Sequence, residues 1–150
     1  MTRLLKFLRT PHADQRMLAR AAILHVLVTI AVRVLPFGRV RRVLGQVAAF
    51  GPRPRAVDDV GARVVRAVRT VASLVPSTNC LTEALVAQCL LAHYRCDTSL
   101  CFGVSRIRPA GRPFDAHAWL ERGGEGVIGV GAVVAYDPLR HPRTRLPSPF

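Results

Sequence analysis

The chain of 150 residues is predicted to be an α+β protein, on three observations. Up to about His93, apolar residues recur at helical steps of three and four. From Thr98 onward the period shortens to two, and proline or glycine clusters punctuate the chain between elements. A helical part, residues 1–75, should therefore precede a helix packed on a small antiparallel sheet, residues 76–150, within a single domain. A chain of this length can bury a core without disulfide or metal staples. Half of its residues are hydrophobic and it has no polar low-complexity tract, which excludes a disordered chain.

The first helix is expected from residue 14 to about 35, stopping at Pro36, and the second from 38 to about 50, before the breaker GPRPR. Within the first, Arg20 and Arg33 leave twelve uncharged residues between them, 21–32, too few to span a bilayer. A buried core helix is expected there. A helix lying on a membrane surface is the alternative, because basic residues flank the apolar run. Val57, Val60, Val64, Val68, Val71 and Val75 mark the core stripe of a third helix, with Asp58 and Asp59 in its first turn and Pro76 at its end. Ser77, Thr78 and Asn79 can each cap a fourth helix that begins within a residue of Cys80 and runs to about His93, with Glu83 suited to a capping box. Leu81, Leu85, Val86, Leu90 and Leu91 spread around more than one face, so this helix should be central and largely buried.

The segment TSLCFGVSRI, 98–107, places Leu100, Phe102 and Val104 on one face of a strand. FDAHAWLE, 114–121, and GVIGVGAVVAY, 126–136, read as two more strands, folded into a hairpin at Gly123 and Gly124. The tail, DPLRHPRTRLPSPF, has proline at four of fourteen positions and should wrap over the surface.

The net charge of +13 is unevenly placed: residues 1–55 hold eleven basic and one acidic residue, and 56–150 hold eleven and eight. All but Lys6 are arginine, whose planar fork suits carboxylate or phosphate. An acidic peptide, a nucleic acid or an anionic membrane would answer such a surface. Aromatic interleaving and a base-reading motif are both missing, so nucleic acid is not expected. No glycine-rich phosphate loop is present, so no ATP or other cofactor is expected either. The cysteines at 80, 89, 96 and 101 follow no secretory signal and read as reduced thiols of a cytoplasmic protein.

Cys80 has two readings. It is either a small buried hydrophobe or a nucleophile, since unpaired amides and the helix dipole favour thiolate over thiol in a first turn. The same amides could donate to an oxyanion formed when a thiolate attacks a carbonyl. Such a nucleophile needs a proton donor, and His117 is the best placed of five histidines: it lies mid-strand between Ala116 and Ala118, with Trp119 beyond as anchor or pocket wall. Cys89 and Cys101 fit the packing role, and Cys96 reads as a loop thiol. A zinc site from His93, Cys96 and Cys101 has poor spacing and lacks a second Cys-x-x-Cys pair, so no metal is expected.

A cysteine capping a helix, followed by a histidine on a later antiparallel strand, resembles the transglutaminase-like branch of the papain-type cysteine peptidases. More narrowly, NCLTEALVAQCLLAH, LCFGVSR and FDAHAWLE, with LPFGRVRRVL in the amino-terminal helices, resemble the stand-alone leader peptidases of lasso peptide biosynthesis. The resemblance implies a transglutaminase-like, papain-like core, with Cys80 as nucleophile and His117 as general acid and base. It also implies a precursor peptide as substrate, a separate leader-binding protein as partner, and an ATP-dependent macrolactam synthetase that uses the freed amine. Two positions depart from the pattern. Glu83 stands where a basic residue is common in the family. The family's third catalytic residue, an aspartate on the strand paired with the histidine strand, has no clear counterpart: the hairpin brings His117 opposite Gly129 or Val130, with Asp115, Glu125 and Asp137 as the nearby acids. A backbone carbonyl or a water could orient the ring instead. The alternative is a non-catalytic scaffold that binds peptide or partner proteins.

Overall fold

A computed structural model describes residues 12–51, 57–75, 79–105, 116–129, 136–138 and 145–146. Among these, four helices precede four strands: α1 (His12–Val34), α2 (Phe37–Ala49), α3 (Val57–Ala72), α4 (Cys80–His93), β1 (Ser99–Ser105), β2 (Ala116–Arg122), β3 (Glu125–Ile128) and β4 (Tyr136–Pro138). The fold class is α+β, as the change of period predicts.

Local chemistry sets the boundaries. Pro36 cannot continue α1, and its extended backbone starts α2, its carbonyl accepting from the amides of Arg39 and Val40 at 2.8 and 3.2 Å. Asn79 is the residue that caps α4: its Oδ1 accepts from the Thr82 amide at 2.7 Å. With Asn79 as cap, Thr82 holds the third helical position and Glu83 the fourth, so Glu83 is not the capping-box residue expected. At the other end of α4, Arg95 is left-handed (φ 62°), its amide donates to Ala92 at 2.9 Å and that of Cys96 to Leu91 at 2.9 Å. This is a Schellman turn built on arginine rather than glycine. The turn folds Cys96 inward, so the expected loop thiol is buried at 1% exposure.

Helix α4 is the centre of the molecule. Every residue from Ala84 to Leu91 is buried, and the helix packs on α1, α2, α3 and β2. Val64, Ala67, Val68 and Val71 of α3 and Met17, Ala21 and Val28 of α1 complete the core beside it. Each such Leu or Val contributes about 1.5–3 kcal/mol relative to an exposed side chain. Arg63 Nε binds Asp14 Oδ1 at 2.6 Å and ties α3 to α1.

The sheet order is β3-β2-β1-β4, with every neighbour antiparallel. Leu100 pairs with Leu120 and Gly103 with His117. Gly123 (φ 60°) and Gly124 (φ 92°) form the hairpin turn expected of adjacent glycines. The long strand expected at 126–136 is instead two short ones on opposite edges: β3 stops at Ile128, before left-handed Gly129 (φ 78°), and β4 pairs with β1. Of the tail, the Arg145 carbonyl accepts from Arg41, and Leu146 packs against the core.

The expectation of a buried core helix at α1 is corrected. Only Met17, Ala21, His25 and Val28 are buried, while Ile23, Val26, Leu27, Ile30 and Val34 are 54–69% exposed. Apolar composition alone does not say which side of a helix has a neighbour. By length and composition α1 is also long enough to cross a membrane, with 22% of its most apolar window buried in the protein.

Candidate active site

Cys80 is the first residue of α4 and half-buried. The cap fixes its position: Asn79 engages the Thr82 amide through its side chain and the Glu83 amide through its carbonyl, the latter at 3.2 Å. The Cys80 sulfur points to β2, where Sγ lies 4.0 Å from the carbonyl oxygen of Ala116, the residue before His117. That is a long sulfur contact rather than a strong hydrogen bond. It nonetheless brings the helix terminus and the start of the histidine strand together, from positions 36 residues apart in the chain.

His117 is half-buried, and its Nε2 lies 2.7 Å from the carbonyl oxygen of Gly129. A carbonyl can only accept, so Nε2 is the protonated nitrogen, and in the neutral ring Nδ1 is then the base. The ring is nearly parallel to that of Trp119, with centroids 6.3 Å apart and 17° between planes. Trp119 is anchored in turn, buried at 2% exposure with Nε1 donating to Glu121 Oε1 at 2.9 Å. A backbone acceptor and an aromatic plane thus help to fix the imidazole.

Gly129 supplies that acceptor from a conformation other residues rarely adopt. Its φ is 78°, and a Cβ there would stand 3.0 Å from the Ala118 carbonyl oxygen and 3.1 Å from Trp119 Cβ. The sequence places His117 opposite Gly129 or Val130. Residue types alone could not show which carbonyl the ring would meet.

Glu83 is the neighbour that residue patterns missed. It lies three residues after Cys80, hence on the same side of α4. Burial pushes its carboxyl above the usual range, while the charges of Arg69 and His117 pull it back. Arg69 also reaches the Val127 carbonyl of β3, at 3.5 Å.

Of the three expected acids, two lie on described strands. Glu125 is exposed at the start of β3 opposite Arg122. Asp137 is on β4, where its backbone pairs with Val104, and Asp115 lies outside the described residues. The other thiols have separate surroundings: Cys89 is buried, with Sγ 3.6 Å from the Leu44 carbonyl and its pKa pushed up to about 12 by burial, so it stays protonated and inert. His93 lines a groove beside α1, and burial holds its pKa down. Among the described residues no three His, Cys, Asp or Glu side chains are grouped to hold a metal ion.

Residues 24–141 match the sequence model of one family, the transglutaminase-like superfamily. The match begins within α1 and extends past β4. Neither a curated protein nor a solved structure matches the chain.

Proposed function

The chain belongs to the transglutaminase-like superfamily, which includes cysteine peptidases, and on that premise we propose that it is a peptidase that removes the leader from a ribosomally made lasso precursor peptide. The observation that carries the reading is the approach of the Cys80 sulfur to the strand that holds a fixed His117. The Cys80 thiolate attacks the scissile carbonyl at the leader–core junction. The amides of Cys80 and Leu81, ahead of the two engaged by Asn79, donate to the oxygen as it becomes negative. The imidazolium of His117 gives its Nδ1 proton to the leaving amine, and the carbon–nitrogen bond breaks. Water, deprotonated by Nδ1, then releases the acyl group and restores the thiol. The Gly129 carbonyl keeps the ring in the required tautomer throughout, a role that a carboxylate plays elsewhere.

The amine freed on the core peptide is the nucleophile that a separate ATP-dependent synthetase would close into a macrolactam. A separate leader-binding protein would deliver the precursor. A second reading is a scaffold that binds precursor or partner without cutting it, because a superfamily match does not by itself establish peptidase activity. Incubating precursor with the protein and its leader-binding partner, and weighing the products, separates the two. Cleavage by the wild type that disappears in Cys80→Ala and His117→Ala is expected. Cleavage that survives Cys80→Ala would end the thiolate mechanism, and no cleavage by wild type would favour the scaffold.

A further inference from the structure

The outward face of α1 has the wrong polarity for a helix exposed to water, where the side away from the core is ordinarily charged. Between Arg20 and Arg33 the only polar residues are His25 and Thr29. His25 is buried, and the Thr29 hydroxyl donates back to the His25 carbonyl at 2.7 Å. What faces outward is Ile23 (60% exposed), Val26 (57%), Leu27 (56%) and Ile30 (54%), at the i, i+3, i+4, i+7 spacing of a single stripe. Helix α2 carries a second stripe, with Val43, Val47 and Phe50 at 49, 43 and 87%. The two adjoin, since Ile23 and Val47 line one groove with Leu24 and Leu90.

Charge frames this surface with a single sign. Arg16, Arg20 and Arg33 on α1 and Arg39 and Arg42 on α2 are all exposed. The one acid in the two helices, Asp14, is bound to Arg63. We propose that this face docks on the surface of a bilayer containing anionic lipid, with the aliphatic stripes at the acyl boundary and the arginines among the phosphates. The helix lies on the surface rather than crossing it. Although α1 is long enough to cross, a crossing would draw Arg20 and Arg33 toward the hydrocarbon. Crossing would also pull Met17, Ala21 and Val28 out of the protein core. A bilayer offers a continuous apolar layer beneath a continuous anionic one, which is the order of chemistry found here. A protein partner would have to reproduce both along two helices.

The test uses the full chain with phosphatidylcholine vesicles, with and without phosphatidylglycerol, read by flotation. Binding to the anionic vesicles is expected. It should weaken by roughly tenfold or more in Ile23→Ser/Leu27→Ser/Ile30→Ser, and by roughly tenfold in Arg33→Glu/Arg42→Glu. Circular dichroism and thermal melting check that each variant stays folded, as substitution of exposed residues should allow. The proposal is overturned if folded wild type ignores anionic vesicles, or if the triple serine variant binds them as well as wild type does. It is also overturned if the face proves to be covered by protein: a dimer, or a stable complex with an acidic protein, that the triple variant abolishes while vesicles remain unbound. Peptidase activity does not enter the readout, so the proposal stands or falls apart from the function proposed above.

Discussion

The imidazole of His117 meets a main-chain acceptor, so its orientation depends in part on the backbone of Gly129. Gly129→Ala would force alanine into a left-handed conformation and press its Cβ against Ala118 and Trp119. A loss of about 1–3 kcal/mol is expected, together with a fall in kcat/KM at temperatures where the variant is fully folded. Unchanged cleavage by a destabilised variant would show that the carbonyl does not orient the ring. Glu83 yields a second expectation, whose sign follows from burial. Its carboxyl titrates above the ordinary value of 4.5, so the folded state prefers the protonated form. The stability linked to that preference is fully present below 4.5 and is lost as pH rises through the raised value. Glu83→Gln should therefore melt higher than wild type at neutral pH, with the difference closing as pH falls below the ordinary value. Melting curves across that range check it, and a Glu83→Gln variant that melts lower at neutral pH would mean that attraction to Arg69 and His117 outweighs burial. Cys80 and His117 stand out in the sequence because each residue type has few uses in such a setting, and the described contact is that of the Cys80 sulfur with Ala116, next to His117. The acceptor at Gly129 was not legible, because every residue carries a carbonyl and only the fold selects one.

At the scale of elements, the helices were legible almost to the residue because proline and glycine break them. The spacing predicts a fourth helix beginning within a residue of Cys80, and it begins there. Which of Ser77, Thr78 and Asn79 caps it was open, since all three side chains can accept from an amide. The hairpin was legible from its glycines. The place of β4 beside β1 was not, because pairing between distant segments leaves no local pattern. The end of α4 is the element where local preference and tertiary structure disagree. Arg95 occupies the left-handed position of a Schellman turn, where a side chain is strained, and its guanidinium gains a contact of 3.4 Å to the Ala49 carbonyl at an exposed site. That contact is worth less than the strain. Arg95→Gly should raise stability by about 0.5–1 kcal/mol, read from denaturant unfolding with unchanged m-value. A loss instead would assign Arg95 a larger part in holding α4 to α2.

Across the whole molecule the dominant feature is charge of one sign, +13 on 150 residues, and it bears on stability as well as on partners. Positive groups held in a compact fold repel one another and favour the expanded chain. Among the described residues the Arg63–Asp14 pair is short, but its side chains are 23% and 32% exposed, and such a pair contributes about 1 kcal/mol at most. Raising salt shortens the screening length from about 10 Å at 0.1 M to about 3 Å at 1 M, which weakens many long-range repulsions more than a close contact of this kind. Melting temperature should therefore rise with sodium chloride. Chloride is the appropriate anion, because sulfate strengthens apolar burial as well and would mix two effects. The rise should be steepest at low ionic strength, where the repulsion between arginines of α1 and α2 is least screened. A melting temperature that stays flat or falls over this range would mean that close ion pairs, rather than net repulsion, set the electrostatic free energy of the fold.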